Sequence, residues 1–363
     1  MMQRLPKIKA MFRTSIVVGC SLLFALQPLL VAENREKAYE DAGKRANEIT
    51  DIFSSGPLQI HARVRVNAAT GPIDGTYRYT QLSKDDVRVD VQIPGYTESI
   101  ITRNGEQYFT RSRDLQPLPI SYLYALVKND HSILWKDHVS KVITSLQNGR
   151  TVRCYVATWP DGRGETCFDI ESGVLTSSER RFNTYVDMTE FSEFRREDNK
   201  LFPAMMRFHS GKLLVEVQVD SIDHSSVESK VFDPPSNATK QERCKVFRSA
   251  EAVYSPDYWQ HVPYSYKSGA VIIAGRLDEH GKILSSEIQE SSGPKIDAAA
   301  MRALNEVYVH PATCDGKTIP SFFRFSTWVL FRFALRSVLF IAIAGFGGVT
   351  LGSRVPHPSF LKL

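Results

Sequence analysis

The stretch Gly269-Ala-Val-Ile-Ile-Ala-Gly-Arg-Leu277 is an apolar run of β-strand length, and it opens the most informative part of the sequence. A polar turn, Asp278 to Lys282, separates it from a second run of strand type, Ile283 to Ile288. A segment of helical character, Ile296 to Asn305, follows, and a last strand begins at Pro320. Short apolar runs bounded by polar turns predict strands that pair with their chain neighbours. The sequence therefore predicts a small unit built of a strand, a hairpin, a helix and a strand.

The chain before this unit has a different pattern, in which apolar residues alternate with polar ones from Leu58 onward. Such alternation predicts half-buried strands, and the short turns between them predict an antiparallel meander. The predicted strands are Leu58 to Asn67, Gly75 to Leu82, Asp86 to Ile93, Glu98 to Thr102, Glu106 to Ser112, Thr151 to Trp159, Gly164 to Asp169, Val174 to Phe182, Thr184 to Phe194, Leu201 to Ser210, Lys212 to Asp223 and Glu228 to Phe232. The pair Gly71-Pro72 is predicted to be one of the turns.

Two parts of this region have helical spacing instead. Glu33 to Phe53 predicts one amphipathic helix, and Leu115 to Gln147 predicts one or two helices inserted into the meander. A helix cannot join a strand ladder, so the insertion must lie on one face of the sheet. We expect its apolar residues either to cover a sheltered cavity, which would suit an acyl chain or an extended partner segment, or simply to fill the core. The residues of this predicted lid are Leu123, Tyr124, Leu126 and Val127.

The N-terminus predicts export. Basic residues precede an uncharged apolar stretch, Thr14 to Ala32, as in a signal peptide spanning residues 1–32. An uncleaved membrane anchor and lipidation at Cys20 are the alternatives. At the other end, residues 333–363 contain a second uncharged apolar run, which fits a membrane segment, a buried helix or a sequence unrelated to the preceding unit. We therefore expect an exported protein, either free or anchored to a membrane.

The cysteines fit that compartment. After removal of a signal peptide four would remain, Cys154, Cys167, Cys244 and Cys314, and an even number in an exported chain allows disulfides. Cys154 and Cys167 flank the turn Pro160 to Gly164 almost symmetrically, so a hairpin would bring them face to face. Cys244 and Cys314 would then be left to pair with each other. The alternative is that all four are reduced and buried.

Nothing in the sequence indicates catalysis. The 9 histidines have no metalloprotease spacing, and the chain has no nucleophile elbow and no phosphate-binding loop. No cysteine spacing fits a zinc site. The net charge of +5 is small for 363 residues and comes without a basic stripe, which argues against nucleic acid as a partner. We therefore predict a non-enzyme with no catalytic residues, no metal and no cofactor.

The C-terminal unit resembles the C-terminal domain of TonB-type energy transducers. The residues that match the family's ordered motifs are Gly269, Asp278, Gly281, Ile283, Ser291 to Gly293, Ile296 to Met301, Pro311-Ala312, Gly316-Lys317 and Ile319-Pro320. The resemblance implies a protein of the periplasm or cell envelope of a Gram-negative bacterium, either free or anchored to a membrane. It also implies that an exposed strand pairs with a segment of an envelope partner similar to a TonB-dependent receptor, in energy-dependent transport. The strand in this role would consist of Phe322, Phe323, Arg324, Phe325, Ser326, Thr327, Trp328 and Val329.

The preceding region is similar in architecture to the LolA and LolB lipoprotein carriers. The residues that carry this resemblance are Gly75 to Tyr79, Val87 to Asp90, Pro94 to Tyr96 and Phe232 to Pro235. The two resemblances together imply a mostly β protein of the α+β class: a large curved antiparallel sheet that forms a LolA-like half-barrel under a helical lid, followed by a small ββαβ domain of the TonB type. The expected domains are 33–235 for the sheet, 236–243 for a linker and 244–332 for the TonB-type unit. The alternative function that follows is a periplasmic lipid or lipoprotein carrier, and a purely structural role is the third.

Overall fold

A computed structural model of the chain describes residues 35–54, 56–68, 71–128, 139–160, 162–182, 186–241, 243–254, 269–305 and 307–329. The predicted signal peptide at 1–32 and the apolar tail at 333–363 lie outside these ranges. None of the helices in the described ranges is both long and apolar enough to cross a membrane.

The elements in chain order show a mostly β protein. They are α1 (residues 35–50), β1 (Leu58–Ala68), β2 (Gly71–Ser83), β3 (Asp86–Ile93), β4 (Tyr96–Arg103), β5 (Glu106–Arg111), α2 (Leu118–Lys128), β6 (Val139–Gln147), β7 (Arg150–Trp159), β8 (Gly162–Asp169), β9 (Leu175–Phe182), β10 (Val186–Glu197), β11 (Lys200–Ser210), β12 (Leu213–Asp223), a 3₁₀ helix (Ser229–Phe232), β13 (Thr239–Lys240), β14 (Phe247–Arg248), β15 (Glu251–Tyr254), β16 (Gly269–Leu277), β17 (Ile283–Glu290), α3 (Pro294–Leu304), β18 (Val307–His310), β19 (Ala312–Cys314), β20 (Lys317–Ile319) and β21 (Ser321–Val329).

Most of the strands belong to one large antiparallel sheet. Its 13 strands follow the order β13-β5-β4-β3-β2-β1-β12-β11-β10-β9-β8-β7-β6. Three small sheets have the orders β14-β19-β20, β15-β18 and β17-β16-β21. The predicted fold class, a large antiparallel sheet accompanied by a small C-terminal sheet domain, is confirmed.

The described chain falls into two compact units. The first, Met1–Ile52 with Asn129–Gly211, contains α1 and strands β6 to β11. Within it Tyr39 of α1 is buried against the rings of Tyr155 and Phe168, at centroid distances of 5.3 and 6.3 Å. The amphipathic spacing of α1 thus places its apolar side on strands β7 and β8.

The second unit, Phe53–Lys128 with Lys212–Leu363, contains the remaining elements. The predicted C-terminal strand, hairpin, helix and strand are present in it as β16, β17, α3 and β21. Their apolar residues form a core of their own, which consists of Ala250, Val271, Ile273, Leu277, Ile296, Ala300, Ala303, Leu304, Val307, Val309, Ala312 and Phe323. Ile296, Ala300 and Ala303 follow helical spacing, so they lie on one face of α3 and pack together into this core.

The prediction that helices continue to Gln147 is wrong. Residues 139–147 form β6, which pairs antiparallel with β7, while Ile133 and Leu134 lie outside the described residues. The reason is the turn that follows: Asn148 and Gly149 both have positive φ, at 49° and 77°. Two successive residues with positive φ form a tight turn whose twist matches that of a β-hairpin. The β-branched residues before the turn also suit a strand, so the turn outweighs their helical spacing.

Two smaller predictions are also wrong. Gly71-Pro72 is the start of β2, where Pro72 pairs with Asn67, because proline is tolerated in the first residues of a strand. The predicted strand at Glu228 to Phe232 is a 3₁₀ helix instead. It buries Phe232 completely, and the Val231 carbonyl accepts a hydrogen bond from Arg88 at 3.2 Å.

Both cysteine pairs form disulfides. Cys154 and Cys167 lie directly opposite each other on β7 and β8, as the symmetric flanking of the turn predicted. Cys244 bonds to Cys314 on β19 and so joins the segment before β14 to the C-terminal unit. The alternative of four reduced cysteines is excluded.

The two disulfides should contribute differently to stability because they close loops of different length. Their sequence separations are 13 and 70 residues. Loop-closure entropy gives about 3 kcal/mol for the shorter and about 4.5 kcal/mol for the longer. We expect paired alanine substitution of Cys244 and Cys314 to lower the free energy of unfolding in urea more than the same change at Cys154 and Cys167. The reverse order would mean that native packing, and not chain entropy, decides the effect.

The hairpin between β16 and β17 requires a glycine for two reasons. Gly281 has a φ of +83°, and a Cβ built on it would lie 1.9 Å from the Val309 carbonyl oxygen. Gly316, in the β19–β20 turn, has nearly the same φ of +84° but nothing within 4 Å of such a Cβ.

Gly316→Ala should therefore lower the free energy of unfolding by about 1 kcal/mol from the left-handed backbone alone. Gly281→Ala should cost at least about 1 kcal/mol more from the clash. Chemical denaturation of both variants measures the difference, and equal costs would contradict the close approach.

Candidate functional site

Helix α2 is the element that builds the candidate site. Prolines at 117 and 119 fit its first turn, where a missing N–H costs nothing. The Leu118 amide donates to Gln289 Oε1 at 2.6 Å, so a side chain of β17 caps the helix. The helix packs on β12, and its buried residues are Leu118, Ile120, Ser121, Leu123, Leu126 and Val127.

The structure brings the predicted lid residues together on this helix. Leu123 and Val127 are fully buried and Leu126 is nearly so, which places an apolar face over the sheet. Tyr124 is half-buried, and its hydroxyl donates to Glu98 Oε2 at 2.6 Å. The predicted lid is therefore apolar except for the hydrogen bond from the Tyr124 hydroxyl to Glu98 on β4.

That contact leads to a buried polar group, which we call the Glu98 cluster and define as Glu98, Arg111, Gln116 and Tyr124. The Glu98 side chain is 0% exposed, and Arg111, directly opposite it on β5, donates Nε to its Oε1. Gln116 Nε2 donates to Oε2 at 2.7 Å. Both carboxylate oxygens are thus occupied, as a buried anion requires.

The surrounding phenols remain neutral and act as donors. Burial raises the pKa of Tyr124 well above its usual value, and the nearby Glu98 carboxylate raises it further. Burial and Glu98 raise the pKa of Tyr96 in the same way. The Tyr96 hydroxyl is buried beside Glu98 and Gln116, next to the Glu98 cluster.

Arg111 also joins the cluster to the C-terminal sheet. Its guanidinium carbon lies 4.6 Å from the ring centre of Phe109 and 5.6 Å from that of Phe322 on β21. An arginine that faces aromatic rings at these distances gains cation–π attraction. Phe322 remains 46% exposed.

Polar contacts fasten the start of α2 to the same C-terminal strands. Arg113 pairs with Glu287 on β17, and Asp114 pairs with Arg276 on β16 at 3.1 Å. Ser121 accepts a hydrogen bond from Arg324 Nη2 on β21 at 3.0 Å. Together with the Gln289 cap, these contacts hold the lid from one side by groups that can separate and re-form.

An open groove of about 670 Å³ lies at the turn between β3 and β4. It is lined by Asp74, Gly75, Thr76, Gln92, Ile93, Pro94, Gly95, Tyr96, Thr97 and Ser112. Tyr96 belongs both to this lining and to the surroundings of Glu98, so the groove reaches the neighbourhood of the buried cluster.

The predicted partner strand is β21, and it pairs with β16 on one side. In the order of its sheet it stands at an edge, so the described residues leave its other side unpaired. Phe322 is exposed and Phe323 is buried in the C-terminal core. The side chains of Phe325, Ser326, Thr327, Trp328 and Val329 lie outside the described residues.

One cysteine group has metal-ligand spacing but does not form a metal site. Ligand atoms of Cys154, Glu165 and Cys167 lie within 4.8 Å of one another. The two sulfurs are bonded to each other, so they cannot act as thiolate ligands.

The sequence prediction missed the Glu98 cluster, although one signal pointed to it. Asn104 and Gly105 both have positive φ and form the two-residue turn between β4 and β5. Counting outward from such a turn pairs residue 98 with residue 111, an acid with a base. The burial of that pair under α2 was the part that required the structure.

No protein-family model and no curated protein sequence matches the chain.

Solved structures with similar folds include three of bacterial origin. An outer membrane lipoprotein-sorting protein domain from Vibrio parahaemolyticus has 12% identity and a TM-score of 0.38, covering 55% of this chain and 97% of that chain. A LolA superfamily protein from Nitrosomonas europaea has 11% identity and a TM-score of 0.35, covering 54% and 97%. A MucA/MucB complex from Pseudomonas aeruginosa has 12% identity and a TM-score of 0.27, covering 67% and 82%. All three TM-scores are below 0.5 and all three identities are 12% or less, so neither a family nor a function is transferred from them to this chain.

Proposed function

We propose that this protein is a non-enzymatic carrier of the bacterial envelope that binds an acyl chain between helix α2 and the sheet. The observation that carries the proposal is the construction of α2. Its apolar side chains face the sheet across β12, while its polar contacts lie at its start and at Tyr124. A helix held in this way can lift and re-close around an apolar ligand without disturbing the strand ladder.

The compartment is supported by two further observations. Both disulfides are formed, and disulfides persist in oxidising compartments such as the periplasm. The N-terminal sequence has the charge and apolar pattern of an export signal. A carrier in that aqueous space would need to shelter an acyl chain from water, because each buried methylene contributes about 0.8 kcal/mol.

Substitution of Leu123 tests the acyl site directly. Leu123→Gln puts an amide among the fully buried apolar side chains of α2, and we expect it to weaken binding of a neutral fluorescent acyl ester by about tenfold or more. Leu284→Gln on β17 is the matched control, because Leu284 is 55% exposed. Titration of the ester, with native mass spectrometry of the purified protein, measures both effects. A wild-type protein that binds no acyl compound in either measurement would contradict the carrier.

A second function, capture of an envelope partner by strand addition, is supported by the edge position of β21. An edge strand offers unpaired backbone N–H and C=O groups to an extended segment. The partner would be an envelope protein with such a segment. The TonB-dependent receptor implied by the sequence resemblance receives no support from the comparisons.

Proline substitution on β21 tests this second function. Ser326→Pro removes a backbone donor, and we expect it to abolish co-purification of an envelope partner with the tagged protein. Ser326→Thr is the control, since it keeps the amide and suits a strand. Circular dichroism establishes that both variants fold. A partner retained equally by both variants would exclude pairing along β21.

A further inference from the structure

Arg324 on β21 places its guanidinium group beside the start of helix α2. Its Nη2 donates to Ser121 Oγ at 3.0 Å, and its Nε is buried with no hydrogen-bond partner. The described part of the chain gives it no ion pair. Three other partly buried arginines do form ion pairs: Arg88 with Asp90, Arg103 with Asp86 and Arg111 with Glu98.

A charge in this position is costly. Removing a guanidinium from water costs several kcal/mol unless an opposite charge compensates. The burial of Arg324 lowers its pKa, which shows the same desolvation, although a guanidinium remains protonated near neutral pH. A bound anion would compensate the charge and remove this cost.

The neighbouring cluster does not supply that anion. Ser121 Oγ donates to Gln116 Oε1 at 2.9 Å, and Gln116 Nε2 donates to Glu98, so Arg324 connects to Glu98 through two neutral side chains. The Glu98 carboxylate is already paired with Arg111. The connected group of Arg324, Arg111 and Glu98 thus has one positive charge in excess.

We propose that Arg324, together with Ser121 of α2, binds the head group of the ligand, and that this head group is an oxyanion with one negative charge. A carboxylate or a phosphate diester has this charge and offers acceptors to Nε, which has none. Because Ser121 and the apolar face of α2 belong to the same helix, the head group would anchor at the start of the lid and the chain would extend along it. This inference rests on the proposed carrier function and specifies its ligand class.

Three probes distinguish the sources of such an anion: palmitate, uncharged hexadecanol of the same chain length, and inorganic phosphate. We expect wild-type protein to bind palmitate about tenfold or more tightly than hexadecanol, and to bind phosphate alone only weakly. Arg324→Met should abolish the preference for palmitate and leave hexadecanol binding unchanged. Arg324→Lys, which keeps the charge, should retain most of the preference, and Arg63→Gln, a change at an exposed arginine of β1, should retain all of it.

Thermal unfolding without ligand provides a readout that separates this role from a structural one. Replacing an uncompensated buried charge by an apolar side chain should leave the Tm of Arg324→Met equal to or above that of wild type. A lower Tm combined with an unchanged preference for palmitate would overturn the inference. Equal binding of palmitate and hexadecanol by the wild type would also overturn the inference, as would strong binding of phosphate alone. Neither of these two results would contradict the carrier function. Failure of both acyl probes to bind would instead overturn the carrier function itself.

Discussion

The buried carboxylate of Glu98 is the constraint on which the second unit depends. An anion with no exposed surface must have its oxygens satisfied, and here the donors come from β5, from the segment before α2 and from α2 itself. Movement of α2 and the segment before it would remove the donors from Oε2 and leave Glu98 paired with Arg111 alone. The position of the lid over the sheet is therefore specified by charge, while its apolar side chains supply most of the stabilisation.

The C-terminal strands take part in the same arrangement. Contacts from β16, β17 and β21 reach the start of α2, and Phe322 faces the arginine that neutralises Glu98. The small C-terminal sheet β17-β16-β21 is thus connected to the proposed ligand site. Any event that displaces β21 would also disturb Arg324 and Ser121, so binding at the strand and binding under the lid are expected to be coupled.

The elements that could be predicted from the sequence are those in which a single local pattern of residues determines the structure. Strands β16 and β17 were predictable because alternating residues end at the Asp278 turn, where Gly281 permits the backbone conformation. Strand β6 was not, since Val139 to Leu146 has a spacing that suits either structure and the turn at Asn148 decides it. The Glu98 cluster depends on residues from β4, β5 and α2, and its burial cannot be read from local periodicity.

The turn at Asn104 and Gly105 has a consequence for the history of this chain. Because β4 and β5 meet through only two residues, Glu98 and Arg111 are paired by counting outward from that turn. Adding or deleting one residue there would shift the register and send one partner to the opposite face of the sheet. Loops on protein surfaces usually vary in length, whereas this one is fixed by a buried ion pair several residues away. Homologues of this protein should therefore keep the turn at two residues, and its positive φ angles restrict it to residues such as Asn, Asp and Gly.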